Sequence, residues 1–329
     1  MGSSSARAEP SFIVDARARV EPALLASVRS DNDFLSEVAS HLIVAGGKRV
    51  RPLFAVASAA SRRGEPQVSE DAVLGGVAVE LVHLGSLYHD DVIDEAVTRR
   101  TVESVNARWG NLTAILAGDF LLARASEIAA SLGTEVAGLL AATIGRLCEG
   151  EVGELRSAYD VGRTEEAYLD SIRGKTAALF ATACRIGAIV GGLPRDAIDA
   201  LTAYGEGYGI AFQIVDDVLD VVASDDELGK PAGHDLVEGV YTLPVLRALD
   251  GADGLRDRLG RPLDDDRLRE ALSLVRADGA VAAALDTARE HADSAVRALA
   301  PLGENAATAW LASATDALFA RVDAVRAAG

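Results

Sequence analysis

From residue 11 onward, apolar residues recur at the three-to-four spacing of amphipathic helices almost without interruption. No stretch alternates apolar and polar residues between turn dipeptides, so no sheet is predicted. Breakers stand where one helix would give way to the next: Gly46-Gly47, Gly64-Glu65-Pro66, Gly110-Asn111, Leu132-Gly133-Thr134, Gly191-Gly192-Leu193-Pro194, Gly229-Lys230-Pro231 and Gly260-Arg261-Pro262. Pro52 falls where a first helical turn tolerates proline. These intervals predict helices of roughly 12 to 30 residues, longer than the globular mean. The acidic, Ala-rich stretch from Leu263 to Gly329 reads as amphipathic packing helices. With no linker-like segment and no repeat, the expectation is an all-α chain with one domain over residues 11–329, after a disordered N-terminus at 1–10.

Two interruptions of the apolar pattern carry chemistry. His89-Asp90-Asp91-Val92-Ile93-Asp94-Glu95 and Gln213-Ile214-Val215-Asp216-Asp217-Val218-Leu219-Asp220 each contain Asp-Asp-x-x-Asp, and each closes an apolar, helix-patterned stretch. Aspartates at i and i+4 share a helix face about 5–6 Å apart, where like charges destabilise. One such cluster is commonly a solvated acidic surface. Two clusters embedded in apolar sequence require compensating cations. Oxygen ligands without an accompanying His/Cys set point to Mg²⁺, which is typically held by one or two carboxylates while it also binds substrate phosphates. Facing clusters would therefore grip a diphosphate through bridging metals. Basic residues complete the pattern: Lys48, Arg49 and Arg51 at a helix start, Arg99-Arg100 after the first cluster, Lys175-Thr176 in an apolar helix, and Lys230 after the second cluster.

Composition narrows the class. Of the 329 residues 49% are hydrophobic and only 5% aromatic, which suits close-packed helices over strands. The net charge of −18 opposes broad electrostatic binding to nucleic acid or to anionic lipid. Cys148 and Cys184 lie in helix-patterned apolar stretches and are expected to be buried thiols. No apolar run suggests a membrane span, and the polar start Met1-Gly2-Ser3-Ser4-Ser5 lacks a signal-peptide core, so the expected location is cytoplasmic without a transmembrane anchor.

The ordered motifs resemble the trans-isoprenyl diphosphate synthase (polyprenyl synthetase) family, and within it the long-chain synthases. They are Gly47-Lys48-Arg49-Val50-Arg51-Pro52, Val82-His83, Leu87 to Asp94, Arg99-Arg100, Asn106 to Asn111, Leu116-Ala117-Gly118-Asp119, Gly150-Glu151, Lys175-Thr176, Phe212 to Asp220, Leu228 to Pro231 and Thr242-Leu243-Pro244. The resemblance implies a homodimer whose fold is a bundle of long helices around a central cavity, the isoprenoid synthase fold. It implies that Asp90, Asp94 and Asp216 are the principal Mg²⁺ ligands, with Asp91, Asp217 and Asp220 assisting, and three ions once substrate is bound. Lys48, Arg51, His83 and Arg100 would hold the diphosphate of isopentenyl diphosphate. Arg99, Lys175, Thr176, Gln213 and Lys230 would surround the allylic diphosphate. The implied activity is a prenyltransferase that makes an all-trans polyprenyl diphosphate.

Three positions depart from the family text. Thr101 stands where glycine is usual, Glu154 where glutamine is frequent, and Val240 where a lysine normally precedes Thr-Leu-Pro. Val240 keeps a non-catalytic partner subunit in view. Ser86 and Gly85, four and five residues before Asp90, are small where short-chain members carry aromatic residues. From Ser86 back to Gly75 a helix advances roughly 16 Å at 1.5 Å per residue, which predicts a product beyond C20, at C30 or longer; close helix packing is the alternative use of these small residues. A class I terpene cyclase would not need Lys48, Arg51 and His83 for a second diphosphate. A His-Asp phosphohydrolase would want further histidine ligands around His89, and His41, His83, His234 and His291 show no matching pattern.

Overall fold

The computed structural model describes residues 9–62, 66–223, 232–277 and 279–328, with side chains at all of these except 321 and 324–328. Ten helices lead the chain: α1 (Ser11–Ser27), α2 (Asp33–Val44), α3 (Val50–Ala59), α4 (Glu70–Ile93), α5 (Val105–Trp109), α6 (Asn111–Ser131), α7 (Thr134–Arg156), α8 (Glu165–Ile172), α9 (Ala178–Val190) and α10 (Arg195–Val222). The C-terminal region continues with Asp265–Ala277, Ala280–Ala298 and Ala306–Ala328, the packing helices predicted there. Side-chain caps set several starts: Asn32 accepts from the Leu35 amide, Ser69 from Ala72 and Thr164 from Ala167. The described breakers all separate helices; Gly64-Glu65 and Gly229-Lys230-Pro231 lie outside the described residues, as do residues 1–8 of the expected disordered terminus.

The chain forms two compact units. One comprises Met1–Ile144, Thr182–Thr202 and Pro301–Trp310; the other comprises Gly145–Ala181, Ala203–Ala300 and Leu311–Gly329. In the first, α4 packs closely against α6 and α3, and its Val77, Ala78, Leu81 and Leu84 are fully buried. By length and composition α4 could cross a membrane, which corrects the expectation that no such run exists; 72% of its most apolar window is buried inside the fold. Here it is a core helix. In the second unit Phe180, Tyr208 and Phe212 cluster with ring centroids 5.1–6.2 Å apart, and the buried Tyr204 hydroxyl donates to the Leu311 carbonyl at 2.7 Å.

Two further findings differ from the sequence expectations. A two-stranded hairpin, β1 (Thr98–Arg99) with β2 (Val102–Glu103), follows α4. Strands of two residues leave no alternation to detect, and their turn is made by Arg100 and Thr101 at φ +51° and +66°, the two left-handed positions of a type I′ turn. Thr101 is β-branched, so this conformation is strained. Thr101→Gly is expected to raise stability by about 1 kcal/mol, read as an upward shift of the thermal unfolding transition. The second difference is Cys148, which is exposed, whereas Cys184 is buried as expected. Periodicity shows that Cys148, Val152 and Leu155 share a face of α7 but not that this chain covers it; Val152 and Leu155 are half exposed too.

Candidate active site

Both aspartate clusters stand at the C-terminal turns of long helices, α4 and α10. The negative end of a helix dipole makes that an unfavourable place for carboxylates. In each cluster the aspartates divide into two environments. Asp94 and Asp216 are exposed and Asp90 is half-buried, whereas Asp91, Asp217 and Asp220 are buried.

The buried members are held by the protein. Asp91 receives Nε and Nη2 of Arg99 on one carboxylate oxygen at 2.6 Å, and its backbone carbonyl accepts from the Asn106 amide at 2.9 Å. Burial pushes the Asp91 carboxyl above the usual range, against the opposing pull of Arg99. Asp217 accepts from the Tyr168 hydroxyl at 2.6 Å and from Gln213 Nε2 at 2.8 Å. Burial pushes Asp217 up to about 7; the hydrogen bonds from Tyr168 and Gln213 oppose this, while the neighbouring charge of Asp216 adds to it. Asp220 accepts the backbone amide of Asp235 at 3.2 Å. Arg99 and Asp91 thus form an ion pair within the first cluster, a pairing that motif position alone does not indicate.

The second cluster continues into the Lys175-Thr176 segment. Thr176 Oγ1 donates to Gln213 Oε1 at 2.7 Å, so Thr176, Gln213, Asp217 and Tyr168 form one chain of hydrogen bonds. Residues Arg173–Ala177 adopt a π-helical turn between α8 and α9, a widening that is frequent at functional sites. Gly150 of α7 makes room for it: a Cβ there would lie 2.8 Å from the Ser171 carbonyl oxygen and 2.9 Å from the Gly174 carbonyl carbon. Lys175 Nζ lies 2.5 Å from Glu154 and 2.9 Å from Glu151. Burial would lower the Lys175 pKa, but the two glutamates outweigh it and hold the ammonium above the ordinary lysine value. Glu154, where the family text has glutamine, therefore adds a second counter-ion to Lys175. Lys230 lies outside the described residues.

The basic residues predicted for a second diphosphate gather in the first unit. Arg100 Nη1 donates to the carbonyls of Leu42, at 3.1 Å, and Gly46, tying the hairpin turn to the Gly46-Gly47 loop. A Cβ at Gly47 would lie 2.9 Å from the guanidinium nitrogens of both Arg100 and Arg49, so both side-chain ends would have to shift to admit one. Lys48 is exposed on this loop, just before α3. Burial and the surrounding charges of Arg51, Arg100, Arg49 and Arg99 push His83 well below the ordinary histidine range, so its imidazole is neutral beside several cations. That positive field suits an anion. Arg49 itself is a buried structural residue, paired to Glu21 at 2.7 Å and Glu80 at 3.1 Å and donating to the Ile43 carbonyl. His89 is structural as well: its Nε2 lies 3.2 Å from the Ile115 carbonyl and 3.5 Å from Asp119, and a Cβ on Gly118 would run into its ring.

Of the chain-length positions, Gly85 serves close packing, since a Cβ would lie 3.1 Å from the Gly118 carbonyl and 3.3 Å from Leu122 on α6. Gly75 is closed off by Ile186. Ser86 donates to the His83 carbonyl at 2.9 Å and is half-buried, whereas Gly75 and Gly85 are buried. Sequence reasoning missed Tyr168, whose role depends on a partner 49 residues away.

The accessible aspartates of each cluster fit a hard divalent ion: their donors are oxygens alone, and a cation would relieve the like-charge repulsion within that cluster and the helix dipole. Among the described residues no three His, Cys, Asp or Glu side chains converge into a cage.

The sequence and fold have close counterparts. Nonaprenyl diphosphate synthase of Mycobacterium tuberculosis is 42% identical over 310 residues, 92% of each chain. Heptaprenyl diphosphate synthase component 2 of Geobacillus stearothermophilus is 39% identical over 293 residues, covering 88% of this chain and 86% of that one. The crystal structure of a polyprenyl synthase from Caulobacter crescentus, complexed with calcium and isoprenyl diphosphate, superposes with a TM-score of 0.88 at 35% identity, over 94% of this chain and 95% of that one. The family model for polyprenyl synthetases matches residues 32–275, a stretch that holds both aspartate clusters, the π-helical turn and the cationic loop, and the chain accordingly belongs to the polyprenyl synthetase family.

Proposed function

We propose that this protein is a trans-polyprenyl diphosphate synthase that condenses isopentenyl diphosphate head-to-tail with an allylic diphosphate and yields an all-trans product beyond C20. The observation that carries this reading is the division repeated in both clusters. A buried aspartate is fixed by protein donors, Asp91 by Arg99 and Asp217 by Tyr168 and Gln213, beside an exposed or half-exposed aspartate that a ligand can reach.

Asp90, Asp94 and Asp216 are the residues that would hold Mg²⁺ against the diphosphate, with three ions in the loaded site. When bound, such ions supply Lewis-acid stabilisation of the departing diphosphate. Lys175, kept protonated by Glu151 and Glu154, offers a direct cation to the same oxygens. Departure of diphosphate leaves an allylic carbocation, which the double bond of isopentenyl diphosphate attacks; loss of a proton to the released diphosphate restores a double bond. Thr176 and Gln213, fixed by their mutual hydrogen bond, line the reacting end and steady the cation while water is excluded. Lys48, Arg51, His83 and Arg100 hold isopentenyl diphosphate in the positive field around His83. Location in the cytoplasm and assembly as a homodimer belong to this reading. Rows of exposed apolar residues support the dimer, among them Leu112, Ile115 and Leu116 on α6.

Incubation of the purified protein with Mg²⁺, labelled isopentenyl diphosphate and farnesyl or geranylgeranyl diphosphate tests the assignment. A ladder of products ending beyond C20 is expected. The Ser86→Phe variant should stop at shorter products by one or more isoprene units; an unchanged distribution would remove Ser86 as a wall of the growing chain's path. A partner-dependent subunit is the second reading, favoured by the relative named component 2 of its synthase. It predicts no elongation by the protein alone with any primer, and it makes Val240 the first residue to exchange for lysine.

A further inference from the structure

Arg163 lies in the loop that leads into α8 and has no role in the site so far described. Its side chain is buried, with 7% of the residue exposed. Nη1 donates to the Tyr241 carbonyl at 3.2 Å, and the guanidinium carbon stands 5.6 Å over the ring of Tyr168. Nε and Nη2 are buried without a hydrogen-bond partner. A guanidinium remains charged at any pH at which proteins fold. Burying one with no anion in contact is strongly unfavourable.

The acidic groups that act on it through space, Glu154 and Asp217, are already engaged. Glu154 Oε1 receives Lys175, while the two oxygens of Asp217 receive Tyr168 and Gln213. The spare Nε and Nη2 groups form the side edge of the guanidinium, whose parallel donors match two oxygens of a phosphate or carboxylate. Two contacts tie the guanidinium to the neighbourhood of the second cluster. Tyr168, under the guanidinium, donates to Asp217, and Tyr241 directly follows Val240, where the chain lacks a cation.

We propose that Arg163 is an anion-binding residue whose Nε–Nη2 edge takes two oxygens of the allylic substrate's diphosphate at the second aspartate cluster. The identity of the ligand rests on the synthase reading above; the anion site itself does not.

The test is calorimetric titration of inorganic diphosphate, with Mg²⁺ present, into the wild-type protein and the Arg163→Met and Arg163→Lys variants, beside KM for both substrates. In Arg163→Met the affinity for diphosphate is expected to fall about ten- to hundredfold, as for loss of a charged hydrogen bond. KM for the allylic diphosphate should rise in step, while KM for isopentenyl diphosphate stays within about twofold. Arg163→Lys keeps the charge without the paired edge and should fall between the two. Diphosphate affinity in the Met variant equal to wild type, with an unchanged thermal transition, would overturn the proposal. If the Met variant fails to fold, the Lys variant decides: weaker binding supports the site and equal binding removes it. Should the wild type elongate no primer while diphosphate binding still depends on Arg163, the synthase reading falls and the anion site stands. Normal elongation, with diphosphate binding indifferent to Arg163, would remove the anion site and keep the synthase.

Discussion

Asp216→Asn is expected to lower turnover about a thousandfold and to leave the fold as stable as before. The loss follows from removing one charged ligand of the leaving group's counter-ions, a contribution of about 4 kcal/mol at 1.36 kcal/mol per tenfold. The stability side follows from position. Asp216 is exposed, sits at the unfavourable end of α10 and repels its buried neighbour Asp217, so neutralising it should shift stability by less than about 0.5 kcal/mol in either direction. Asp217→Ala divides the other way: it strands the Tyr168 hydroxyl and the Gln213 amide, and should cost about 2 kcal/mol in stability. Single-turnover kinetics paired with thermal unfolding separates the two outcomes. Equal stability losses for both variants would show that the exposed and buried aspartates share one role.

The second large effect concerns packing alone. Gly187→Ala should destabilise the first unit by about 3 kcal/mol, although glycine to alanine in an open helix ordinarily stabilises by nearly 1 kcal/mol. At Gly187 of α9 the added methyl would lie 2.9 Å from the Ala55 Cα of α3 and closer still to its carbonyl oxygen. One turn on, Gly191 meets Ala59 in the same manner, 2.8 Å from its Cα. These neighbours are backbone atoms, and no change of rotamer relieves the clash. Gly138→Ala on α7 is the control, because nothing lies within 4 Å of the added carbon; it should raise the unfolding midpoint where Gly187→Ala lowers it.

Helices and aspartate clusters are legible in the sequence because both depend on local pattern. A 3.6-residue period survives in the letters, and a run of carboxylates closing an apolar stretch stands out against it. The hairpin is not legible: its strands are two residues long, and its left-handed turn is built from Arg100 and Thr101, neither of which announces positive φ. The same limit hides the division within the clusters. That Asp91 is spent on Arg99 and Asp217 on Tyr168 depends on side chains brought together by the fold, across 8 and 49 positions. Arg163 is a single arginine in a loop, and the carbonyl it donates to belongs to Tyr241, 78 positions away. Cys148 shows the converse limit, since a periodic apolar face need not be a covered one.

The π-helical turn at Arg173–Ala177 also bears on how such a site can arise and diverge. Such a turn holds one residue more than the α-helical turn it replaces, and one residue corresponds to about 100° of rotation. A single-codon insertion that an unbroken α-helix would pass on as a swing of more than a quarter turn is here absorbed within the turn, and the residues beyond it keep their faces. Reverting it by deletion would move Lys175 and Thr176 away from Glu151, Glu154 and Gln213 together. Lineages that keep this chemistry can exchange letters around the turn freely but cannot change its length, whereas the loops between helices have no such constraint.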